Sequence, residues 1–406
     1  MISLSLLRTA IAEHAAIRRI RRLQPAGGAG DKLFPPTYPA ERSTDPPQHV
    51  FELRRVDDRE AWCVLIDSVQ SQANRMEEAL LAAATEAGIP LPFILVDFSA
   101  ADLLPLEQIT SLDAPHRVYD AIIRDSLLNE EPFMESRPGR RLAAATPGDA
   151  TALLEISPAA LVFGAWHSQG EGGGLGAKFP RALVSEIMGI DTPVETVVRD
   201  RRTNRMEPQT AGRRTGSRID PLGVLRRVDV FKSPTGWSTD QKEAGKGAKK
   251  VRPSEINHGN ITPTVAPLGV TCAYAEHRSV LTLAGLRRLR FGDDERNATG
   301  RALLAALGLL AIAEQDARGY ALRSRCDLVC DGAGTLELVH ADGSTEPVDL
   351  DRPEARDLYR EAYADALQAG FAFSPLMLKP QPKLVEIVRR SRELALEGEG
   401  RDDQNE

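Results

Sequence analysis

The stretch DSVQSQANRMEEALLAA, residues 67–83, joins the end of an apolar strand to an amphipathic helix. Successive side chains of a helix are about 100° apart. The apolar positions therefore share one stripe, namely Val69, Ala73, Met76, Leu80, Ala83 and Ala87. A stripe of this width is typical of a helix that packs on a core, so we predict that this side faces inward.

The opposite side of the same helix carries Ser71, Asn74, Arg75 and Glu78. Their spacings of three and four residues bring them within reach of one another. Two interpretations remain open. The face is either a solvated surface on which Arg75 pairs with Glu78, or a polar surface for phosphates and hydroxyls with Arg75 as a forked cation.

Other segments predict a mixture of hairpins and helices. The runs VFELRRV (50–56) and AWCVLID (61–67) read as a hairpin, and FILVDF (93–98) as a buried strand. The run TGRALLAALGLLAIAEQDARG (299–319) predicts a central core helix, and CDLVCDGAGTLELVHADG (326–343) a hairpin with a glycine-rich turn. Because strands and helices do not alternate regularly, the pattern favours the α+β class.

The N-terminal residues 1–23 predict a helix, and a Pro- and Gly-rich arm follows it over 24–48. The apolar part of this helix is short and is flanked by arginine on the wrong side for a secretory signal. No segment has the roughly 20 apolar residues that a membrane span needs. Hydrophobic residues make up 42% and charged residues 27%, which is typical of a soluble globular protein.

The cysteines are few and lie in apolar contexts. They are Cys63, Cys272, Cys326 and Cys330. Free thiols of this kind favour a reducing compartment, so we expect the protein to be cytoplasmic. No second ligand pair accompanies Cys326 and Cys330, and we therefore expect no structural metal and no cofactor.

Positive charge is concentrated in the segment 196–252. It holds 15 lysines and arginines against six acids, a local charge of +9, in a chain whose net charge is −7. Long basic loops in a compact chain are usually functional or disordered. We therefore set residues 196–260 apart as a basic insertion.

A glycine-rich loop, HSQGEGGGLGAK (167–178), lies between a predicted strand, ALVFGAW (160–166), and a predicted short helix, PRALVSEIMG (180–189). It lacks the Ser or Thr that follows the lysine of a P-loop. Its backbone N–H groups and Lys178 nevertheless suit an anion at a helix N-terminus. From its position at the end of the predicted strand, Trp166 is open to interpretation as a partly buried core residue.

The segment HRVYDAIIRD (116–125) predicts part of a helix that begins at Asp113. His116 and Asp120 are four residues apart and favour a structural hydrogen bond over a metal site, because no third ligand follows. Arg117 lies beside them in the predicted first turn.

Several longer blocks occur in the order expected of one known family. They are QPAGGAGDKLFPPTYPA (24–40), CVLIDSVQSQANRMEEAL (63–80), TSLDAPHRVYDAIIRDSLL (110–128), FGAWHSQGEGGGLGAKFPRALVSEIMGID (163–191), GNITP (259–263) and LTLAGLRRLRF (281–291). With them the sequence resembles the backbone subunit of type I-G (formerly I-U) CRISPR effector complexes, in the Cas-seven family of the RAMP superfamily.

The resemblance implies an RRM-like, ferredoxin-like palm with large insertions, in one subunit over 1–406. The N-terminal helix and arm would occupy 1–48, the palm and helical elements 49–195 and 261–396, a thumb 196–260, and an acidic tail 397–406. It also implies a role in antiviral defence. Copies of a non-enzymatic, RNA-binding subunit would form a homo-oligomer along the guide spacer of a Cascade-type complex and present it for target DNA pairing.

The partners implied by the resemblance are CRISPR RNA, target DNA through the guide, other copies of the chain, the large subunit and the Cas-five/Cas-six-like subunit. We expect contacts with phosphates and 2′-hydroxyls and not with base edges. The expected RNA-binding residues are Ser71, Asn74, Arg75, His116, Arg117, Trp166, His167, Lys178, Arg201, Arg202, Arg205, Arg213, Arg214, Lys246, Lys249 and Lys250.

Two enzymatic alternatives are weighed against this interpretation. A metal-dependent RNA endonuclease, like the type III backbone subunits, would use a loop aspartate such as Asp200, Asp220 or Asp240. A guide-processing nuclease would need a general base such as His167 or His258 near a scissile phosphate.

Overall fold

The computed structural model describes residues 2–39, 48–167, 177–199, 206–218, 228–256, 258 and 261–398. Two compact units divide the chain. One is formed by Met1–Pro193 with Val270–Glu386, and the other by Val194–Gly269 with Ile387–Glu406. The second unit overlaps the basic insertion set apart over 196–260.

The helices are α1 Leu4–Glu13, α2 Val69–Glu86, α3 Ala121–Arg124, α4 Arg137–Ala143, α5 Thr151–Ile156, α6 Ala159–Phe163, α7 Leu283–Leu286, α8 Asp294–Arg318, α9 Arg352–Gln368 and α10 Pro382–Gly398. Single 3₁₀ turns cover Ser99–Ala101, Arg117–Tyr119, Phe133–Glu135 and Pro253–Ile256.

The first ten strands are β1 Ala16–Pro25, β2 Phe51–Val56, β3 Arg59–Asp67, β4 Ile94–Asp97, β5 Gln108–Thr110, β6 Ser126–Leu128, β7 Glu131–Pro132, β8 Ala165–Trp166, β9 Lys178–Phe179 and β10 Leu183–Ile190. Then follow β11 Val194–Arg199, β12 Met206–Thr210, β13 Arg214–Arg218, β14 Val230–Ser233, β15 Gly236–Ser238, β16 Lys249–Val251 and β17 Ile261–Ala266. The last six are β18 Tyr274–Thr282, β19 Tyr320–Arg323, β20 Cys326–Cys330, β21 Thr335–Val339, β22 Thr345–Val348 and β23 Leu376–Pro380.

The first unit is built on a sheet that has nine strands within the described residues. Its main order is β19-β20-β1-β18-β10-β3-β2, and β21 joins the edge of β1 and carries β22. Every pair in this sheet is antiparallel. The α+β class expected from the sequence is therefore confirmed.

A second sheet of the first unit has the order β5-β4-β23-β6-β7. Its pair of β4 with β23 is parallel. Two short strands, β8 and β9, form a separate hairpin. This hairpin flanks the glycine-rich loop.

Helix α2 begins at the cap residue Ser68, whose hydroxyl accepts a hydrogen bond from the Ser71 amide. Its predicted inward stripe is confirmed, because Ala73, Met76 and Leu80 are buried. The helix packs against β10 and against α8. The predicted core helix is also confirmed, since α8 is buried around most of its circumference and packs on β18.

A layer of buried polar side chains lies among α2, α8 and the sheet. Ser185 in β10 lies 2.7 Å from His277 Nε2 in β18 and donates to Gln72 Oε1 at 3.3 Å. Gln315 in α8 donates to the same Gln72 oxygen at 2.8 Å. A buried polar group is costly unless it is hydrogen-bonded, and here the helix and sheet residues bond to one another, although Gln315 Oε1 has no partner among the described residues.

The predicted strand ALVFGAW (160–166) is wrong over residues 160–163, which belong to helix α6. Three further secondary-structure predictions are wrong because of strand pairing. Residues 16–23 are not the end of a helix but belong to β1, which pairs with β18 over its length. Residues 183–190 form β10 between β18 and β3, so no helix follows Lys178. Residues 326–339 do not form a hairpin, because β20 and β21 both pair with β1. In each case a distant strand supplies the hydrogen bonds that fix the conformation.

Candidate nucleic-acid interface

The polar face of α2 is tied to a buried carboxylate. Asp67, which is fully buried, accepts hydrogen bonds from Ser71 Oγ at 2.9 Å and from Arg75 Nε at 3.0 Å. It also accepts from Gln72 at 2.6 Å and from Arg323 at 2.7 Å. The second arm of Arg75 donates to the Leu322 carbonyl at 2.6 Å. Ser71 and Arg75 therefore hold α2 to β3 and β19.

The predicted pair between Arg75 and Glu78 is wrong. Glu78 instead pairs with Arg318 of α8 at 2.7 Å, because Arg75 turns toward Asp67. Asn74 is exposed on the same face. Of the predicted RNA-binding residues on α2, Asn74 is exposed, whereas Ser71 and Arg75 are partly buried.

Arg117 lies in the interior, contrary to its proposed contact with RNA. Its guanidinium makes two hydrogen bonds to Glu77, at 2.6 and 2.7 Å, and a third to the Gly164 carbonyl at 3.0 Å. Burial raises the pKa of Glu77 to about 7, against the opposing effect of Arg117. The arginine compensates a buried carboxylate, so we replace its predicted RNA contact with a structural role.

The helix predicted from Asp113 is also wrong. Arg117 has a left-handed backbone, with φ 54°, and α3 begins only after Asp120, whose side chain caps the Ile122 amide. A hydrogen bond does join His116 to Asp120, but it runs from the His116 backbone amide to Asp120 Oδ2 at 3.1 Å and does not involve the imidazole. The His116 ring itself is exposed.

The hairpin β8–β9 brings three of the predicted residues together. The Lys178 ammonium lies 4.8 Å from the centre of the Trp166 ring, and Trp166 is 51% exposed. Next to it, His167 stacks on Tyr119 with ring centres 4.7 Å apart and planes 8° from parallel. We call Tyr119, Trp166, His167 and Lys178 the hairpin cluster.

The hairpin cluster has the chemistry that single-stranded nucleic acid requires. An exposed indole offers a face on which a base can stack, and the adjacent ammonium offers charge to a phosphate. Desolvation lowers the pKa of His167, so its imidazole is neutral at pH 7 and contributes a flat ring and hydrogen bonding, not charge.

Sequence reasoning missed Arg181, which follows β9. Its Nε is buried without a hydrogen-bond partner among the described residues. Burial lowers its pKa, and the nearby Arg117 adds to the effect. Nothing in the segment KFPRALV distinguishes this arginine from a surface residue. The signal appears only when the fold places it beside Gly164.

The second unit presents some of the predicted basic residues. Arg213 pairs with Glu195, and Lys250 pairs with Asp229 at 2.6 Å. The other three in this unit are exposed, namely Arg214, Lys246 and Lys249. Arg201, Arg202 and Arg205 lie outside the described residues.

The same unit holds an aromatic residue that the sequence analysis did not select. Trp237 in β15 is 52% exposed and meets the His258 ring edge-on at 5.6 Å. Its register partner in β14 is Lys232, whose partner in β16 is Lys249. The three side chains therefore share one face of this small sheet.

The described residues contain few groups that either of the two enzymatic alternatives could use for catalysis. Within the described residues, no three His, Cys, Asp or Glu side chains come together as metal ligands would. Asp240 accepts a hydrogen bond from the Lys242 amide at 2.8 Å in a surface turn. Asp200 and Asp220 lie outside the described residues.

Across the described residues, none of the helices is at once long and apolar enough to span a membrane.

A protein-family model described as CRISPR-associated protein GSU0053 matches residues 17–194, somewhat less than half of the chain. This segment holds β1, α2 and the hairpin cluster. Over these residues the chain is similar to a CRISPR-associated family, in agreement with the resemblance to the backbone subunit of the Cas-seven family in type I-G complexes.

No curated protein matches the chain. Among solved structures, the crystal structure of Thermofilum pendens Csc2 is similar with a TM-score of 0.25 and 12% sequence identity. That similarity covers 97% of this chain and 80% of the other.

Proposed function

We propose that this chain is a guide-binding scaffold of a type I-G interference complex. Several copies would line up along the spacer of one CRISPR RNA and hold it for pairing with target DNA. The other subunits of the complex would be the large subunit and the Cas-five/Cas-six-like subunit. The chain would act in the cytoplasm, without a cofactor and without cleaving nucleic acid.

The hairpin cluster is the observation that carries this proposal. Trp166 and Lys178 come from opposite ends of the glycine-rich loop, yet their side chains meet at 4.8 Å. A stacked base and a paired phosphate use parts of a nucleotide that every spacer shares. Such a site binds RNA without reading its sequence, as a scaffold for any guide must.

The exposed Asn74 and the exposed lysines of the second unit extend the proposal. Amides and ammonium groups suit 2′-hydroxyls and phosphates. The proposal keeps the RNA contacts that the sequence predicts for Arg201, Arg202 and Arg205. It also keeps the contact predicted for His116, because the ring of His116 is exposed. Ser71 and Arg75 would act through the conformation of α2, because their polar groups are engaged by Asp67.

The RRM-like palm also belongs to the proposal. Its support is the layer arrangement, a large sheet with α2 and α8 packed on β10 and β18. In a split βαβ fold another strand lies between the two parallel strands, so that neighbouring strands are antiparallel. The antiparallel pairs among the described strands of the nine-stranded sheet are compatible with such a palm.

The proposal is tested by measuring how the protein, assembled with its partner subunits, binds guides that differ only in the spacer. We expect the same affinity for every spacer, and an affinity that falls steeply with salt, because phosphate contacts release counterions. A tenfold preference for one spacer sequence, or binding insensitive to salt, would contradict a backbone-gripping scaffold.

A further inference from the structure

A pocket opens at the edge of β1, where the strand changes partners. Strand β21 pairs with residues 16–20 and β20 with residues 23–25, and residues 331–334 pass between them. The pocket has a volume of about 160 Å³ and lies among β1, α8 and the β21–β22 hairpin. Its walls include the apolar Leu309, Ile312 and Leu336.

Two arginines reach this pocket from the same face of β1. Arg19, with 5% exposure, and Arg21 both pair with the one carboxylate of Asp316, the latter at 3.3 Å. Burial lowers the pKa of Arg19. A second carboxylate, Asp349, also lines the pocket but is exposed at its rim. The pocket therefore holds two guanidiniums against the partly buried carboxylate of Asp316 and the exposed carboxylate of Asp349.

Each guanidinium has a buried nitrogen without a hydrogen-bond partner among the described residues, namely Nε in both and also Nη1 of Arg19, which makes the ion pair with Asp316. Arg19 donates from Nη2 to the Tyr320 hydroxyl at 3.1 Å, and Arg21 donates to the Ala333 carbonyl at 3.3 Å. Both Nε atoms are buried without a hydrogen-bond partner among the described residues. A buried charged donor without a partner is costly, so these two N–H groups are the unsatisfied feature of the pocket.

We propose that this pocket binds a small free oxyanion of the phosphate class. The guanidinium groups match the oxygens of a phosphate in charge and geometry. Larger ligands are disfavoured, because pockets for drug-sized molecules are about 300–1,000 Å³. The anion would accept hydrogen bonds from both guanidiniums and fasten residues 331–334 onto β1. This site is separate from the hairpin cluster and does not require RNA.

The test uses the full chain without RNA, with inorganic phosphate as the probe and sodium chloride replacing it at constant ionic strength. We expect saturable binding by calorimetry and a rise in melting temperature that chloride does not produce. The variant Arg21→Gln should bind at least tenfold more weakly. Arg21→Lys keeps the charge beside Asp316 but lacks Nε–H, and should also bind more weakly while it remains folded.

Arg22→Gln is the matched control. Arg22 is the next residue of β1, on the opposite face, where its guanidinium lies 4.2 Å from the centre of the Tyr274 ring. We expect its phosphate affinity to equal that of the unchanged protein. The proposal is overturned if phosphate acts no differently from chloride, or if the Arg21 variants and Arg22→Gln respond alike. It is also overturned if Arg21→Gln impairs guide binding while free phosphate does not bind.

Discussion

A single buried carboxylate explains much of the polar face of α2. Asp67 closes β3 and accepts hydrogen bonds from Ser71, Gln72, Arg75 and Arg323. The periodicity of the sequence predicts which side of α2 is polar, but it does not reveal the partner of Arg75. Arg323 reaches the same carboxylate from a position 256 residues away, a contact that only the tertiary fold creates.

Substitutions at two neighbouring residues of α2 distinguish an effect on protein stability from an effect on guide binding. Arg75→Ala removes a hydrogen bond to a buried charge and should lower the free energy of unfolding by about 1.5–3 kcal/mol. Asn74→Ala changes an exposed side chain and should alter stability by less than about 0.5 kcal/mol, while weakening guide binding equally for every spacer. Chemical denaturation and guide titration of both variants check this. An Arg75→Ala protein whose free energy of unfolding is unchanged would contradict the stabilising contact between Arg75 and Asp67.

His277 should make stability depend on pH. Its pKa is well below the usual value because of burial, and nearby Arg19 and Arg21 lower it further. The unfolded state therefore binds a proton first as the pH falls below about 6.5. Above that pH the neutral ring makes its full contribution to the free energy of unfolding. Below it, this contribution falls by at most about 1.4 kcal/mol for each pH unit.

Denaturation at pH 7.5, 6.5 and 5.5 measures this effect, with His277→Gln as the control. Carboxylates such as Asp316, which shares the Tyr320 hydroxyl with His277, are present in both proteins. The difference between the two pH profiles therefore isolates the imidazole. Parallel profiles would show that His277 does not contribute.

At the scale of elements, helices were easier to predict than strands. The patterns of α2 and α8 are long and periodic, and their predicted inward faces are confirmed. The sequence pattern predicts helices where β1 and β10 lie, because Ile17 and Ile20, or Leu183 and Ile187, also fit helical spacing. What decides them is pairing with β18, a strand far away in the sequence.

The β8–β9 hairpin was predicted only in part. Trp166, His167 and Lys178 were selected from the sequence, and the fold brings them together. Tyr119 and Arg181 were not selected. The predicted helix behind the glycines does not exist, so the anion would meet side chains at this site and not a helix N-terminus.

Substitutions in the hairpin cluster should weaken guide binding without unfolding the protein. Trp166→Ala removes a stacking face worth about 1–3 kcal/mol per base. Lys178→Gln removes one phosphate contact and should reduce the salt slope of binding by about 0.7. Titrations at several salt concentrations check both effects. Lys379→Gln, at an exposed lysine paired with Glu130, is the control, and an equal loss in that variant would contradict a specific role for Lys178.

At the scale of the whole molecule, the two units differ in how much of their structure the sequence predicts. The first holds the large sheet and its helices, and its apolar patterns indicated an α+β fold. The second includes β11 to β17, where short strands among charged residues leave little periodicity. Composition flagged this segment through its charge of +9, but could not assign its strands or select Trp237.

A scaffold should leave RNA intact. Incubating the assembled complex with complementary RNA and Mg²⁺ should give no position-specific cutting, and gel analysis of labelled RNA checks this. Fragments that disappear on Asp200→Ala, Asp220→Ala or Asp240→Ala would assign the chain to the metal-dependent endonucleases instead. Residual cutting that all three variants share would indicate contamination.

The central claim is that copies of this chain assemble on a guide. The most direct measurement is the size and ultraviolet absorbance ratio of the protein purified with its partner subunits, with and without the CRISPR RNA. The account predicts a large particle that carries nucleic acid when the guide is present, and loss of that particle when it is withheld. A monomer free of RNA under both conditions would contradict the account.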